Sequence, residues 1–176
     1  MTDAAIPSSP SPQGRTRPDW SGDERSQLAQ LLDYNRATVR LKTGGLSDAD
    51  ARRRLTPSPL TSIAGLVAHL VWVERYWIED VLGGGRVEYP WTDEHPDGDW
   101  EQGDTRPLSE LLAQYDAACA TNREVVAGLD LEHIPRPDSP QPISVRATLL
   151  HMIEETARHV GHIDILRELT DGVTGE

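Results

Sequence analysis

The sequence predicts an all-α fold, a four-helix bundle of the kind with long crossover connections. Two observations carry this: four segments repeat apolar residues at intervals of three and four, and no segment alternates apolar with polar residues as a half-buried strand would. The third is size. A chain of 176 residues suffices for one hydrophobic core and is short for two, so residues 21–176 read as one domain behind a tail, 1–20.

Taken in order, that tail holds four Pro and three Ser among its twenty residues; it has little apolar surface to bury and is expected to be disordered. Helix one is expected over roughly 22–43, with Leu28, Leu31, Leu32, Val39 and Leu41 at helical spacing and Gly44-Gly45 as a stop. Ser47 offers a cap for a short connecting helix within 47–55. Helix two begins after "TPSP" with Ser62 as N-cap and ends at Gly83-Gly84-Gly85. Ile63, Leu66, Leu70, Val73, Trp77 and Val81 give it the clearest amphipathic pattern in the chain. Residues 83–107, "GGGRVEYPWTDEHPDGDWEQGDTRP", are acidic and rich in Gly and Pro, too long for an idle connection and expected to be a lid or wall of a site. Ser109 is the expected cap of helix three, over 109–128. "DLEHIPRPDSPQP" breaks the chain, and helix four follows over 144–169, ending before Asp171-Gly172. There are no internal repeats.

Charge narrows the functional classes. Seventeen basic residues against 29 acidic give a formal net charge of −12, and the basic residues, of which only Lys42 is a lysine, are scattered. Such a surface repels a phosphate backbone, so neither nucleic acid nor an anionic membrane is an expected partner. The longest apolar run, 63–73, contains His69 and is too short to span a bilayer. With no signal-peptide pattern at the N-terminus, the cytoplasm is the expected location. Cys119 is the sole cysteine, which rules out an intramolecular disulfide and a multi-cysteine metal site; in the helical context "YDAACATN" it reads as a small buried hydrophobe.

The stretch "EETARHVGHID", 154–164, is what a plain core helix does not need. On helix four, Val145, Leu149, Met152, Thr156, Val160, Ile163 and Leu166 share one apolar face. Glu155 and His159, at i and i+4, lie together on its edge, and His69 stands at a similar edge of helix two. Packed side by side, the two helices bring three polar groups to the rim of the core. Two imidazoles and a carboxylate form a ligand set for Zn, Fe or Ni with a position left open. The same residues also read as a hydrogen-bonded packing histidine and an ordinary helix-surface pair. No zincin H-E-x-x-H, G-x-S-x-G, P-loop or dinucleotide motif occurs.

"GLVAHLVWVERYWIEDVLGG" (65–84) and "LLHMIEETARHVGHIDILRELTDG" (149–172) resemble the second and fourth helices of the DinB-like superfamily, nearest its actinobacterial domain-of-unknown-function branch. The metal-binding domain of mycothiol-dependent maleylpyruvate isomerase belongs to the same superfamily. Weaker similarity runs through helix one and the "PDGDW" loop. Many members use three histidines, the last two at i and i+4; the isomerase has glutamate as the first of that pair, and this sequence resembles the glutamate version. The resemblance therefore implies metal ligands at His69, Glu155 and His159, a four-helix bundle with crossovers, and a homodimer.

It further implies a metal-dependent transferase or isomerase-like enzyme that uses a low-molecular-weight thiol such as mycothiol against an electrophilic second substrate. The expected cofactor is a divalent metal, Zn first, with Ni or Fe accepting the same donors. A non-catalytic metal-binding or dimerisation module is the alternative. The isomerase carries a further C-terminal domain and this sequence ends at Glu176, so the isomerase reaction itself is not expected. Trp72 and Tyr76, at i+3 and i+7 from His69, are candidates to line a pocket. Arg158 and His162, a turn from the ligands, are candidates to orient substrate. Tyr89, Trp91 and Trp100 are expected to cover the site, and Glu74 to point toward the core and pair with an Arg.

Overall fold

The computed structural model describes residues 15–174, and among these there is no strand. The helices are α1 (Glu24–Thr43), α2 (Asp48–Ala51), α3 (Ile63–Glu74), continued without a break by a π-helical segment (Arg75–Leu82), α4 (Gly98–Thr105), α5 (Leu108–Ala127) and α6 (Val145–Asp171). The expected bundle is present: α1, α3 with its π extension, α5 and α6 are the four long members. Among these four the most extensive backbone pairings are α1 with α6 and α3 with α5, while α3 also meets α6. The connections from α1 to α3 and from α5 to α6 therefore cross the bundle. None of the described helices is long and apolar enough to cross a membrane.

Local chemistry sets most helix ends. Asp23, Ser62 and Ser144 accept the N–H three residues on, from Ser26, Gly65 and Ala147, at 3.0, 3.0 and 3.2 Å, each satisfying an orphan donor of a first turn. Helix α6 stops at Gly172, whose φ of 77° suits a residue without Cβ. The cap expected at Ser109 is not the one used. Helix α5 starts at Leu108 behind Pro107, and the Leu108 N–H donates to the Asp48 carboxylate at 2.8 Å, so the cap comes from α2 rather than from the helix's own sequence. Arginines close the C-terminal ends in the same way: Arg25 donates to the carbonyls of Val126 and Leu129 past α5, and Arg167 to those of Lys42 and Gly44 past α1.

Helix α3 differs from its expected amphipathic character. Every residue of it except His69 is buried, as befits a helix hydrophobic on all sides. It is covered by α5 and α6 on one side and by α4 on the other. Within the acidic 83–107 segment α4 is a helix that the Gly-rich sequence did not suggest. It docks because Gly103 has no side chain: a Cβ there would lie 2.4 Å from Gly65 N. Two contiguous apolar clusters follow, one around Leu66, Leu70, Leu111 and Ile163, the other around Leu32, Ile78, Leu149 and Met152. Each such side chain contributes about 1.5–3 kcal/mol on burial.

Between α1, α3 and α5 runs a buried polar network. Arg36 grips Glu74 with Nε to Oε1 at 2.7 Å and Nη2 to Oε2 at 2.6 Å, and Asn122 donates to the Glu74 carbonyl and to Oε2. Glu74 is fully buried, so its arginine partner is the one expected from the sequence. Cys119 is also buried in the core, and burial, with the Glu74 carboxylate nearby, pushes its thiol far above the usual cysteine range.

The tail expected over 1–20 lies outside the described residues as far as residue 14. Beyond that, Arg15 is buried, donates to Thr38 Oγ1 at 2.9 Å and lies 4.7 Å over the Tyr34 ring on α1.

Candidate metal centre

His69 projects from the middle of α3, and Glu155 and His159 from successive turns of α6. The helix pairing brings all three together. Their ligand atoms lie within 4.8 Å of one another, with Glu155 Oε1 at 3.0 Å from His159 Nε2 and 3.5 Å from His69 Nε2. In a tetrahedral site with bonds near 2.0–2.1 Å, neighbouring donors stand about 3.3 Å apart, and the two edges at Glu155 suit that spacing.

The protonation states suit one too. Burial alone would raise the Glu155 carboxyl, but the imidazoles of His159 and His69 outweigh it and hold it below its ordinary value. Burial lowers the His159 imidazole, and neighbouring His69 adds to the effect. Both groups are thus disposed to stay unprotonated near neutral pH, as metal ligands must be.

A further carboxylate completes the arrangement. Asp99, on α4, lies 2.6 Å from His69 Nδ1 and is itself buried. With Nδ1–H donated to Asp99, the lone pair of His69 is left on Nε2, the atom facing Glu155; a carboxylate behind a ligating histidine fixes tautomer and ring orientation in this way. Trp100, the next residue, stacks on His69 with centroids 4.3 Å apart and an interplanar angle of 19°. The acidic segment does cover the site, as expected, but as a docked helix that touches His69 on two sides.

Beside the centre is a cavity of about 360 Å³ whose lining includes His69, Trp72, Tyr76, Asp99, Trp100 and Glu155. Trp72 is nearly buried, its Nε1–H donating to Gln102 at 3.2 Å; Tyr76 is half-open to solvent. Both pocket candidates thus join the site. The other two stand beside it and outside the cavity lining. Arg158 is exposed and pairs with Glu154 and Glu155, and His162 Nδ1 lies 3.4 Å from His159 Nδ1. The sequence reading did not single out Asp99 or Trp77. "PDGDW" holds two acids, and nothing in the sequence marks Asp99 over Asp97; Trp77 reads there only as a core position of helix two.

Among solved structures the fold is similar to that of an uncharacterized protein from Clostridium difficile 630, at 13% identity with a TM-score of 0.59, over 81% of this chain and 94% of that one. A conserved protein from Enterococcus faecalis matches at 16% identity and TM-score 0.56, over 87% and 100%, and one from Streptococcus pneumoniae at 15% and 0.55, over 81% and 90%. These likenesses concern the fold alone. A comparison with curated proteins finds no match. The sequence over residues 27–172, which spans all four long helices but for the first turn of α1 and includes His69, Asp99, Glu155 and His159, matches the family model for mycothiol-S-transferase, and the chain belongs to that family.

Proposed function

We propose that the protein is a metal-dependent S-transferase that joins a low-molecular-weight thiol of the mycothiol type to an electrophilic carbon of a second substrate. The observation that carries the reading is the convergence of His69, Glu155 and His159 at the edge of a cavity in a chain of this family. These three side chains would hold a divalent ion, Zn by donor preference and Ni or Fe with the same donors. Bound there, the ion would supply a Lewis-acidic position that favours thiolate over thiol near neutral pH.

The chain's own residues do the rest. Asp99 keeps the His69 proton on Nδ1, and Trp100 closes the ring face of His69 to water. Burial of His159, and the imidazoles of His159 and His69 beside Glu155, favour the unprotonated forms of both groups. In the reaction a sulfur–carbon bond forms, the thiol proton passes to solvent, and the leaving group departs with its bonding pair. The acidic surroundings disfavour strongly anionic thiols; mycothiol has no carboxylate, unlike glutathione and bacillithiol, and is the expected cosubstrate. The test is a conjugation assay with a neutral electrophile and each thiol. The expected rate is highest with mycothiol and falls to background after chelation or in His159→Ala; a rate indifferent to both removes the proposal.

A second reading, a non-catalytic metal-binding or dimerisation module, is favoured by one observation. Ile165, Leu169 and Val173, at the C-terminal end of α6 and just beyond it, are about half exposed, an apolar surface suited to a second copy of the chain. Sedimentation equilibrium of wild type and Ile165→Asp tests it: a dimer in the first and a monomer in the second supports that interface, and a wild-type monomer rejects it.

A further inference from the structure

The aromatic residues of this chain are gathered in one place. There are five Trp, four Tyr and no Phe, and five of these nine, Trp72, Tyr76, Trp77, Trp91 and Trp100, line the cavity beside His69, with Tyr89 packed against three of them. Trp72, Tyr76, Trp77, Tyr89 and Trp91 run ring to ring with centroids 4.4–6.4 Å apart, and Trp100 stands at the His69 end. The largest fully buried side chains are Leu, Ile and Met apart from Tyr115 and Glu74, whereas of these rings Trp72 belongs to the core and Trp77, Tyr89, Trp91 and Trp100 pack at its margin. Tyr76 is 38% exposed and Trp77, Trp91 and Trp100 are half-buried, so each leaves part of its ring open while lining the cavity.

Tyr76 and Trp77 sit in the π-helical segment Arg75–Leu82, a rare conformation frequent at functional sites, and both line the cavity with their rings in edge contact at 5.1 Å. The only charged side chains in the lining are the carboxylates of Asp99 and Glu155. Of the cations beside it, Arg75 lies against the Trp72 ring at 4.7 Å and is paired with Glu79, and Arg158 is paired with Glu154 and Glu155. Between the lining residues Trp91 and Pro96 the chain carries the exposed acids Asp93 and Glu94. The cavity therefore offers ring surfaces for stacking and edge contacts inside a negative field.

We propose that this trough is the subsite of the second substrate and that it selects flat, apolar, conjugated or aromatic molecules carrying no negative charge. The word substrate rests on the transferase reading; the ligand class rests on the trough. Its size, about 360 Å³, is at the small end of ligand pockets and fits one or two fused rings.

Unreactive probes separate the two readings. Calorimetric titration of the full-length, metal-containing protein would compare naphthalenemethanol, naphthylmethylammonium, naphthoate and inositol, against wild type, Tyr76→Ala and Trp77→Ala, with circular dichroism confirming that each variant is folded. The neutral and cationic rings are expected to bind at least about tenfold more tightly than the isosteric anion. Each variant is expected to weaken naphthalenemethanol by about fivefold or more with its metal content unchanged. Equal binding of naphthoate, binding of inositol but of no ring compound, or unaltered affinity in both variants overturns the proposal. Selective ring binding in a protein that transfers no thiol upholds the subsite and refutes the transferase; efficient transfer to anionic and neutral electrophiles alike does the reverse.

Discussion

Asp99 lies 2.6 Å from Nδ1 of His69, joining the helix of the acidic segment to the central helix of the bundle through one charged hydrogen bond. The contact decides which nitrogen of His69 is free, because a proton held on Nδ1 leaves the lone pair on Nε2. Asp99→Ala is therefore expected to keep the fold and to lose metal affinity by about 10–100-fold, read by competition with a chromophoric chelator. An unchanged affinity would mean that Asp99 only anchors α4.

Glu74 and Arg36 test the interior. Glu74→Leu leaves the Arg36 guanidinium buried without its bidentate partner, and should cost about 3–5 kcal/mol in urea unfolding. The double variant Arg36→Met/Glu74→Leu removes both charges and should recover much of that loss. If the double variant were no more stable than the single one, the pair would be worth more than the burial of its charges.

Two glycines are expected to respond with opposite signs. At Gly103 a Cβ would press on the backbone of Ala64 and Gly65 at 2.4–2.6 Å, so Gly103→Ala should destabilise by about 1–3 kcal/mol and loosen α4, with Asp99, from His69. At Gly161 a Cβ would meet nothing within 4 Å in an exposed helix interior, and Gly161→Ala should stabilise by about 0.5–1 kcal/mol. Thermal melts of the two variants check both signs.

The connecting loops depend on pH through Asp80. Burial disfavours its charge, but hydrogen bonds from Tyr89 and Arg136 outweigh that and hold its pKa below the usual carboxylate value. A carboxyl depressed by folding contributes stability that is complete above its unfolded value, about pH 4, and disappears as pH falls through the folded value. Asp80→Asn should therefore be less stable than wild type at pH 7 by about 1–2 kcal/mol, and the gap should close toward pH 2. A gap that persists in acid would assign the effect to packing instead.

What the sequence disclosed follows from which contacts are local. Helical periodicity and the cap at Ser62 lie within a few residues of what they determine, so the long helices and the meeting of His69 with Glu155 and His159 were legible. Asp99 was not, since it reaches His69 only after α4 has docked, and docking depends on Gly103 meeting Gly65 across 38 positions of chain. In isolation Gly98 and Gly103 look like loop residues. The π turn was hidden for another reason: Tyr76, Trp77, Ile78 and Val81 continue a pattern that fits an α-helix equally well. Asp48 capping α5 from another helix is likewise a tertiary event, which made Ser109 the natural but mistaken choice.

The central claim is that His69, Glu155 and His159 hold a catalytic metal ion, and elemental analysis tests it most directly. Protein prepared without a chelator or an affinity tag of histidines should contain close to one divalent ion per chain. The variant His69→Ala/Glu155→Ala/His159→Ala, shown to be folded by circular dichroism, should contain almost none. Equal metal in the two proteins would contradict the assignment and, with it, the thiol chemistry built upon it.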